Sequence, residues 1–270
     1  MFDLSYWPFF AIAIVGAIVA NSTGAGGGIV FVPAFNMLGI DSDAIIATSF
    51  AIQCFGMTAG TIAWHQNARA NLIASGSDPL RTKTYSRYWI IIAVCSIPAA
   101  GGVLLGQYVF SLDSADQIKG VFKSFSFLFG ISILLTTAYL LRSSNAKTGV
   151  IAIDGRVTRV LLIVIGLIGG LITAWLSVGV GELIAVALIL LRYPVRFAIG
   201  VAVSVSAFSV WAGIHYHVFV EPMIHYGILA FAAPAAAIGG TVAKYLVAHF
   251  SPVQVKVFIA IWILLSAVVM

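Results

Sequence analysis

Two glycine-rich breaks in long apolar segments contain the residues best suited to bind a ligand. Residues 21–28 read Asn-Ser-Thr-Gly-Ala-Gly-Gly-Gly and interrupt the apolar stretch 7–38. Residues 177–182 interrupt the stretch 160–191 in the same way. A helix that begins after such a break presents unpaired backbone N–H groups and the positive end of its dipole. Since glycine allows close approach and positive φ angles, the breaks predict an anion site built from backbone.

Neutral polar residues in and beside these breaks are the candidate substrate-binding residues. No Lys or Arg lies well inside an apolar stretch, so a charged substrate must be held by backbone N–H groups, hydroxyls and amides. For a single serine, close helix packing is the stronger explanation, because small residues dominate helix interfaces in membranes. Packing does not need three consecutive glycines, which favours a binding role for the first break. The predicted set is Asn21, Ser22, Thr23, Gly24, Gly26, Gly27, Gly28, Thr48, Ser49, Gln53, Ser177, Gly179 and Gly181.

Glu182 is the only acidic residue that the sequence places inside the membrane. Burying a charge there is costly, which makes such residues functional candidates. Three roles are open for this side chain. It could carry a coupling proton, cap the helix that begins near Gly181, or face water at the edge of the break.

Other reactive groups do not form a known catalytic or metal-binding pattern. His215, His217 and His225 lie near Glu221, but their spacing matches no strong metal signature. The sequence has no Walker loop, no nucleophile elbow and no His-Glu zinc motif. We therefore predict a protein that is not an enzyme and that uses neither a metal nor a cofactor.

The composition identifies the setting of these residues. The chain has 270 residues, of which 61% are hydrophobic and 9% charged, and its mean hydropathy is +1.08. This composition excludes a soluble domain and indicates an integral membrane protein. The 14 Lys and Arg lie in loops, where they indicate orientation in the membrane. The predicted partner is therefore the lipid bilayer and not nucleic acid, and the sequence leaves a homodimer open.

The two breaks belong to an internal repeat. Adding 153 to the residue number takes Gly26 to Gly179 and Gly28 to Gly181. Paired glycine breaks are the best sequence indication of a transporter binding site, because non-helical backbone at membrane depth must be buried or line a wet cavity. The energy for transport would come from an ion gradient or from the gradient of the substrate. The predicted membrane repeats are residues 1–145 and 146–270.

The distribution of basic residues predicts how the broken segments cross the membrane. As one helix, residues 7–38 would span about 48 Å against a hydrocarbon core of about 30 Å. If each broken segment crosses once, the 14 Lys and Arg divide 8 to 6 between the two sides. If each turns back as a hairpin, they divide 12 to 2, and the richer side is cytoplasmic. The predicted cytoplasmic loops are 65–87, 142–157, 192–196 and 244–256.

The predicted architecture is an all-α integral membrane protein with both termini periplasmic. It contains two inverted repeats, each a glycine-broken helical hairpin followed by three transmembrane helices. The charge count does not distinguish a re-entrant hairpin from two short, tilted crossings.

Short motifs resemble those of the TauE/SafE sulfite exporter family, also named the 4-toluene sulfonate uptake permease (TSUP) family. They are Gly-Ala-Gly-Gly-Gly-Ile-Val-Phe-Val-Pro at residues 24–33 and Ala-Thr-Ser at residues 47–49, and the resemblance covers nearly the whole chain. It implies movement of small sulfur-containing anions, such as sulfite, sulfonates or sulfoacetate. Together with the paired breaks, this predicts a secondary transporter in the bacterial inner (plasma) membrane that works by alternating access, and the membrane potential favours export. A passive anion channel and a proton-coupled importer of organosulfur compounds are the alternatives.

The second half departs from the pattern of this family. Residues 179–182 read Gly-Val-Gly-Glu where a run of three glycines is expected. Residues 200–202 read Gly-Val-Ala where Ala/Gly-Thr-Ser is expected. The two half-sites are therefore unequal, and the first repeat is the better candidate for contact with the substrate.

Overall fold

The computed structural model describes residues 4–74, 82, 86–112, 114–142, 155–249 and 252–269. Within these ranges the regular secondary structure is helical, which confirms the predicted all-α class. The helices are α1 (Pro8–Thr23), α2 (Gly28–Met37), α3 (Ser42–Ala74), α4 (Tyr88–Tyr108), α5 (Ala115–Arg142), α6 (Arg156–Leu176), α7 (Val180–Leu190), α8 (Val195–His215), α9 (Tyr226–His249) and α10 (Pro252–Val269), with short helical turns at Leu4–Tyr6 and Tyr216–Val220.

Seven helical segments of the described residues are long and apolar enough to cross a membrane, as expected of a multi-pass protein. They are Leu4–Thr23, Ala44–Ala70, Tyr88–Tyr108, Asp116–Ala138, Arg156–Leu176, Val195–Val220 and Tyr226–Val247. Helix α2 has 10 residues and α7 has 11, so they reach only about 15–17 Å. Neither helix alone crosses a hydrocarbon core of about 30 Å.

The first break turns the chain back on itself. Helix α1 ends at Thr23 and is capped by Gly24, whose φ of 81° is a left-handed conformation that favours glycine. Phe9, near the start of α1, then packs against Phe35, near the end of α2, with ring centroids 5.3 Å apart. The ring of Phe31 covers Gly16, where a Cβ would overlap it. The chain therefore enters and leaves this hairpin at the same end of the bundle, as the charge count predicts.

The second break makes a similar hairpin with a different cap. Helix α6 ends at Leu176 and is capped by Ser177, which has φ of 58°, and Gly179, with φ of 144°, precedes α7. The 153-residue offset matches Ser177 to Gly24, so a serine here adopts the conformation that glycine adopts in the first break. Val180, at the start of α7, lies beside Gly169, about two turns back from the end of α6, where a Cβ would be 2.8 Å from the Cα of Val180. The chain therefore turns back at this break as well.

The two hairpins open towards opposite ends of α8. Tyr6, just before α1, packs against His225, which follows α8 and its helical extension, with ring centroids 4.9 Å apart. Tyr193, just after α7, stacks on Phe197 in the first turn of α8, with centroids 5.3 Å apart. Two inverted repeats would also have hairpins that open towards opposite ends of the bundle. The symmetry of the complete halves and the side of each terminus stay predictions.

The helices of the two sequence halves interleave. Helix α4 packs along α6, and α1 packs along α9, so close helix pairs join the first half to the second. A Cβ at Gly170 would overlap the carbonyl of Ala99, which shows how closely the backbones of α4 and α6 approach. The predicted division after residue 145 lies outside the described residues, as do parts of the predicted cytoplasmic loops 65–87 and 142–157.

The contact between α4 and α6 predicts unequal effects for two adjacent glycines. A Cβ at Gly102 would overlap the carbonyl of Leu167, whereas a Cβ at Gly101 meets no atom within 4 Å. We expect Gly102→Ala to lower the free energy of unfolding by about 1–3 kcal/mol, because the two helices must move apart. Gly101→Ala should be neutral or stabilising, since alanine favours a helix by about 1 kcal/mol. Thermal unfolding in detergent measures the stability of both variants. Equal melting temperatures for Gly102→Ala and Gly101→Ala would contradict the close packing of α4 against α6.

Candidate functional site

The two glycine breaks meet in the interior of the protein. A Cβ at Gly28 would overlap the carbonyl of Ser177, and a Cβ at Gly181 would overlap the carbonyl of Gly24. Each contact joins the backbone of one break to the backbone of the other, and all four residues are buried. We call this contact region, residues 24–28 and 177–182, the junction.

The carboxylate of Glu182 binds both breaks at once. Its Oε1 accepts a hydrogen bond from the N–H of Gly26, and its Oε2 accepts one from the N–H of Gly179, both at 2.8 Å. The side chain is only 1% exposed. A carboxylate suits this position because the N-terminal end of α7 carries the positive end of the helix dipole. Of the three roles open from the sequence, the geometry shows the hydrogen bonds of a helix cap, extended to the opposite break, and the role in proton coupling stays a prediction.

Gln53 of α3 forms a second link between the breaks. Its Oε1 accepts a hydrogen bond from the N–H of Gly27 at 2.8 Å. Its Nε2 donates to the carbonyl and the hydroxyl of Ser177, at 2.9 and 2.7 Å, and lies 3.2 Å from the hydroxyl of Ser49. The Ser177 hydroxyl in turn donates to Ser49 at 2.8 Å. One amide side chain therefore ties the N-terminal end of α2 to the C-terminal end of α6.

The junction offers donors for anionic oxygen atoms without a basic side chain. The backbone N–H groups of Gly26, Gly27 and Gly179 each donate to a side-chain oxygen. The side chains that accept these bonds are one carboxylate and one amide, so positive character comes from the backbone. Backbone N–H groups at helix N-termini bind phosphate, sulfate and carboxylate groups. In this structure the oxygen atoms that accept these bonds belong to the carboxylate of Glu182 and the amide of Gln53.

Comparison with known proteins identifies the family. The family model for the sulfite exporter TauE/SafE matches residues 9–270, which is essentially the whole chain. The chain belongs to the TauE/SafE sulfite exporter family. Its members are membrane anion transporters or exporters and not enzymes, and the resemblance found in the sequence is confirmed. Comparison with curated proteins and with solved structures gives no match.

Most of the predicted substrate-binding residues of this TauE/SafE protein lie at the junction or in the hydrogen-bond network attached to it. They either contribute a hydrogen bond to the network or make the backbone contact between the two breaks. These residues are Gly24, Gly26, Gly27, Gly28, Ser49, Gln53, Ser177, Gly179 and Gly181.

Four predicted residues make other contacts. The hydroxyl of Thr48 accepts a hydrogen bond from the N–H of His225 at 2.9 Å, at the start of α9. The amide of Asn21 donates to carbonyls of α1 and α3. Thr23 bonds to backbone within its own turn, and Ser22 lines a largely apolar cavity of about 500 Å³ beside α9 and α10. The structure does not bring these four side chains into the hydrogen-bond network of the junction.

Two threonines near Glu182 are absent from the predicted set. Thr173 accepts a hydrogen bond from the N–H of Val180 at 2.9 Å and so caps α7 from the preceding helix. Thr136 of α5, together with Thr23, lines a cavity of about 40 Å³ beside Glu182. Neither threonine lies in a break, so the glycine pattern has no signal for them.

Ser206 of α8 also lies at the junction. A Cβ at Gly181 would overlap its hydroxyl, which has no hydrogen-bond partner although the residue is only 2% exposed. The sequence does contain a signal for this residue, because the 153-residue offset matches Ser206 to Gln53. The two repeats therefore place a long amide and a short hydroxyl at matching positions.

The histidines at the end of α8 have partners away from the junction. His215 Nε2 lies 2.9 Å from the hydroxyl of Tyr108, and His217 Nε2 lies 3.3 Å from Nε2 of Gln107. His217 and Glu221 line a separate cavity of about 330 Å³. In the part of the chain that the structure describes, no group of three or more His, Cys, Asp or Glu is arranged to hold a metal ion.

Proposed function

We propose that this TauE/SafE protein is a secondary transporter of small sulfur-containing anions, such as sulfite and sulfonates including sulfoacetate, in the bacterial inner membrane. The observation that carries the proposal is that the buried N–H groups of Gly26 and Gly179, from opposite breaks, donate to one carboxylate, while the neighbouring N–H of Gly27 donates to an amide oxygen. Sulfite and sulfonate groups present three oxygens on one sulfur, so they match several such donors together. The junction contains no basic side chain. The anion is therefore released more easily than from a site in which a Lys or Arg holds it with a full positive charge.

The closed junction favours a carrier over a passive channel. Backbone contacts between Gly28 and Ser177, and between Gly24 and Gly181, join the two breaks directly. A channel needs a continuous water-filled path, which such contacts obstruct. We propose that the hairpins move relative to α3 and α8 and so expose the junction to one side of the membrane at a time.

The proposed direction of transport is export. When an anion leaves a cell with a negative interior, the free energy falls by about 2.3 kcal/mol per charge at 100 mV. Import against this potential needs coupled protons or another cation. Export is therefore the direction that the membrane potential alone can drive.

The proposal predicts that a sulfur oxyanion stabilises the purified protein. A ligand that binds only the native state, at one hundred times its Kd, raises the free energy of unfolding by about 2.7 kcal/mol. We expect at least one of sulfite, sulfate, thiosulfate, sulfoacetate and taurine to raise the melting temperature in detergent. Chloride at equal ionic strength is the control for general salt effects. If none of the five raises the melting temperature, the proposed substrate class is wrong.

The Gly26→Ala variant locates this effect at the junction. A Cβ at Gly26 would lie 3.1 Å from the carbonyl of Ser177 and 3.2 Å from Oε1 of Gln53, so the break must widen slightly. We expect about tenfold weaker binding, which equals about 1.4 kcal/mol. Gly101→Ala is the matched control and should keep the wild-type affinity. Equal affinity of Gly26→Ala and wild type would place the site elsewhere.

A further inference from the structure

The carboxylate of Glu182 already occupies donors that the proposed substrate would use. Its two oxygens bind the N–H groups of Gly26 and Gly179, which belong to opposite repeats. A sulfonate or sulfite group bound to the same N–H groups must displace the carboxylate. Two negative groups in one buried site also repel each other strongly, because the protein interior has a low dielectric constant. The substrate and the ionised carboxylate are therefore alternative occupants of the junction.

We propose that Glu182 is an internal anion that closes the empty site and exchanges with the substrate anion by taking up one proton. The inference rests on the proposed function and adds its coupling to protons. When one substrate anion and one proton bind, the two N–H···O bonds to the carboxylate break. The carboxylate becomes a carboxyl group, and the freed N–H groups bond to the substrate. On release of the substrate, the carboxyl group loses its proton and the carboxylate returns to the two breaks.

The surroundings of Glu182 suit a neutral carboxyl group. The cavity of about 40 Å³ beside it is lined by Thr23, Thr136 and apolar side chains of α5 and α7, and it has room for about one water molecule. The facing parts of α6 and α8 contribute Thr173 and Ser206. No titratable side chain of the described residues other than Glu182 lines this cavity. Glu182 is therefore the group that can take up a proton at this position.

Ser206 provides an independent reason to place the anion at the second break. Its hydroxyl is buried without a hydrogen-bond partner and lies against Gly181, at the N-terminal end of α7. Buried polar groups normally have hydrogen-bond partners. At the matching position of the first repeat, Gln53 reaches the N–H of Gly27 with a longer side chain. The Ser206 hydroxyl is thus an additional donor for the oxygen atoms of an anion that replaces the carboxylate.

Proton uptake at Glu182 remains compatible with export driven by the membrane potential. Sulfite and sulfoacetate carry two negative charges when they are fully ionised. With one proton, each carries a net charge of −1 through the membrane. Outward movement of that charge is favoured in a cell with a negative interior. A substrate with a single negative charge would instead move without net charge, and the potential would not drive it.

Calorimetric titration of the wild-type protein with sulfoacetate tests the exchange. Sulfonate and carboxylate groups stay ionised above about pH 6, so a pH dependence of binding in this range comes from the protein. Titrations in buffers with different ionisation enthalpies should show uptake of about one proton per bound anion. The Kd should rise with pH, by up to about tenfold per pH unit, wherever Glu182 is ionised in the empty protein.

The Glu182→Gln variant removes the charge and keeps the shape of the side chain. We expect it to bind sulfoacetate without proton uptake and, at the alkaline end of the range, about tenfold more tightly than the wild type. Asp116→Asn is the control, because this acidic residue is exposed on α5, and it should keep the wild-type proton uptake. If Glu182→Gln does not fold, the buffer series on the wild type still decides the question.

Two results would overturn the inference, and they differ in what they leave standing. If the wild type binds sulfoacetate without proton uptake and with an affinity independent of pH, the exchange is wrong and the proposed transport function survives. If neither the wild type nor Glu182→Gln binds sulfoacetate, sulfite or the other sulfur anions at any pH, the proposed function fails together with the exchange.

Discussion

The Gln53→Leu variant is expected to lose transport and several kcal/mol of stability. The amide of Gln53 joins the N–H of Gly27 to the carbonyl of Ser177, and all three residues are buried. Leucine has a similar size but leaves both backbone groups without a partner. Each unsatisfied buried group costs about 1–3 kcal/mol, so the two together cost about 2–6 kcal/mol. Without this link the two breaks also lose the alignment of their N–H groups on which the proposed binding site depends.

Thermal unfolding and flux of a labelled sulfur anion in proteoliposomes measure the two effects of Gln53→Leu. Gln66→Leu is the matched control, because Gln66 lies on the same helix, is exposed, and accepts a hydrogen bond from the exposed end of Lys244 and not from the junction. The control should transport at the wild-type rate. A Gln53→Leu protein with wild-type flux would show that the amide link is dispensable.

The Gly28→Ala variant is expected to separate the two breaks. Its single added carbon would overlap the carbonyl of Ser177. Because that overlap involves backbone on both sides, the hairpins must move apart, and the bonds from Gln53 and Glu182 across the junction lengthen. Overpacking alone costs about 1–3 kcal/mol, and we expect a further loss from the weakened hydrogen bonds. Transport should fall at least about a hundredfold, since displacements of about 1 Å have effects of that size in enzyme active sites.

Gly120→Ala is the control for this substitution. A Cβ at Gly120 of α5 meets no atom within 4 Å, so the change should be neutral or slightly stabilising. Transport and melting temperature are measured for both variants in the same lipid. Near-wild-type flux through Gly28→Ala would contradict a site that depends on contact between the two breaks.

The hairpins show how far length and charge alone predict this fold. Residues 7–38 are too long for one straight crossing, and the basic residues divide 12 to 2 only if the chain turns back. Phe9 and Phe35 lie in contact as that argument requires. The turn could be predicted because basic residues collect in cytoplasmic loops, which limits how many times the chain can cross. The side of the membrane on which each loop lies stays a prediction.

The site shows where sequence reasoning stops. The glycines of both breaks could be predicted, because backbone must change direction there and few other residues allow it. The partner of Gln53 could not be predicted, because Ser177 lies 124 residues away and is reached only when α3 and α6 pack together. Thr48 lies next to Ser49 in the same motif, yet it points to His225 at the start of α9. Adjacent residues on a helix face different neighbours, and composition does not reveal which neighbour each one meets.

By itself the sequence determines that this protein is an α-helical membrane protein with two glycine-broken segments, and it shows which family it belongs to. These properties follow from hydropathy, charge and glycine spacing, which act locally along the chain. The tertiary structure alone decides that the two breaks touch and that Glu182 bonds to the N–H of Gly26, 156 residues away. It also decides that the hydroxyl of Ser206 lies beside the same helix end. Those contacts depend on the packing of both hairpins against α3 and α8, and no local property of the chain contains that geometry.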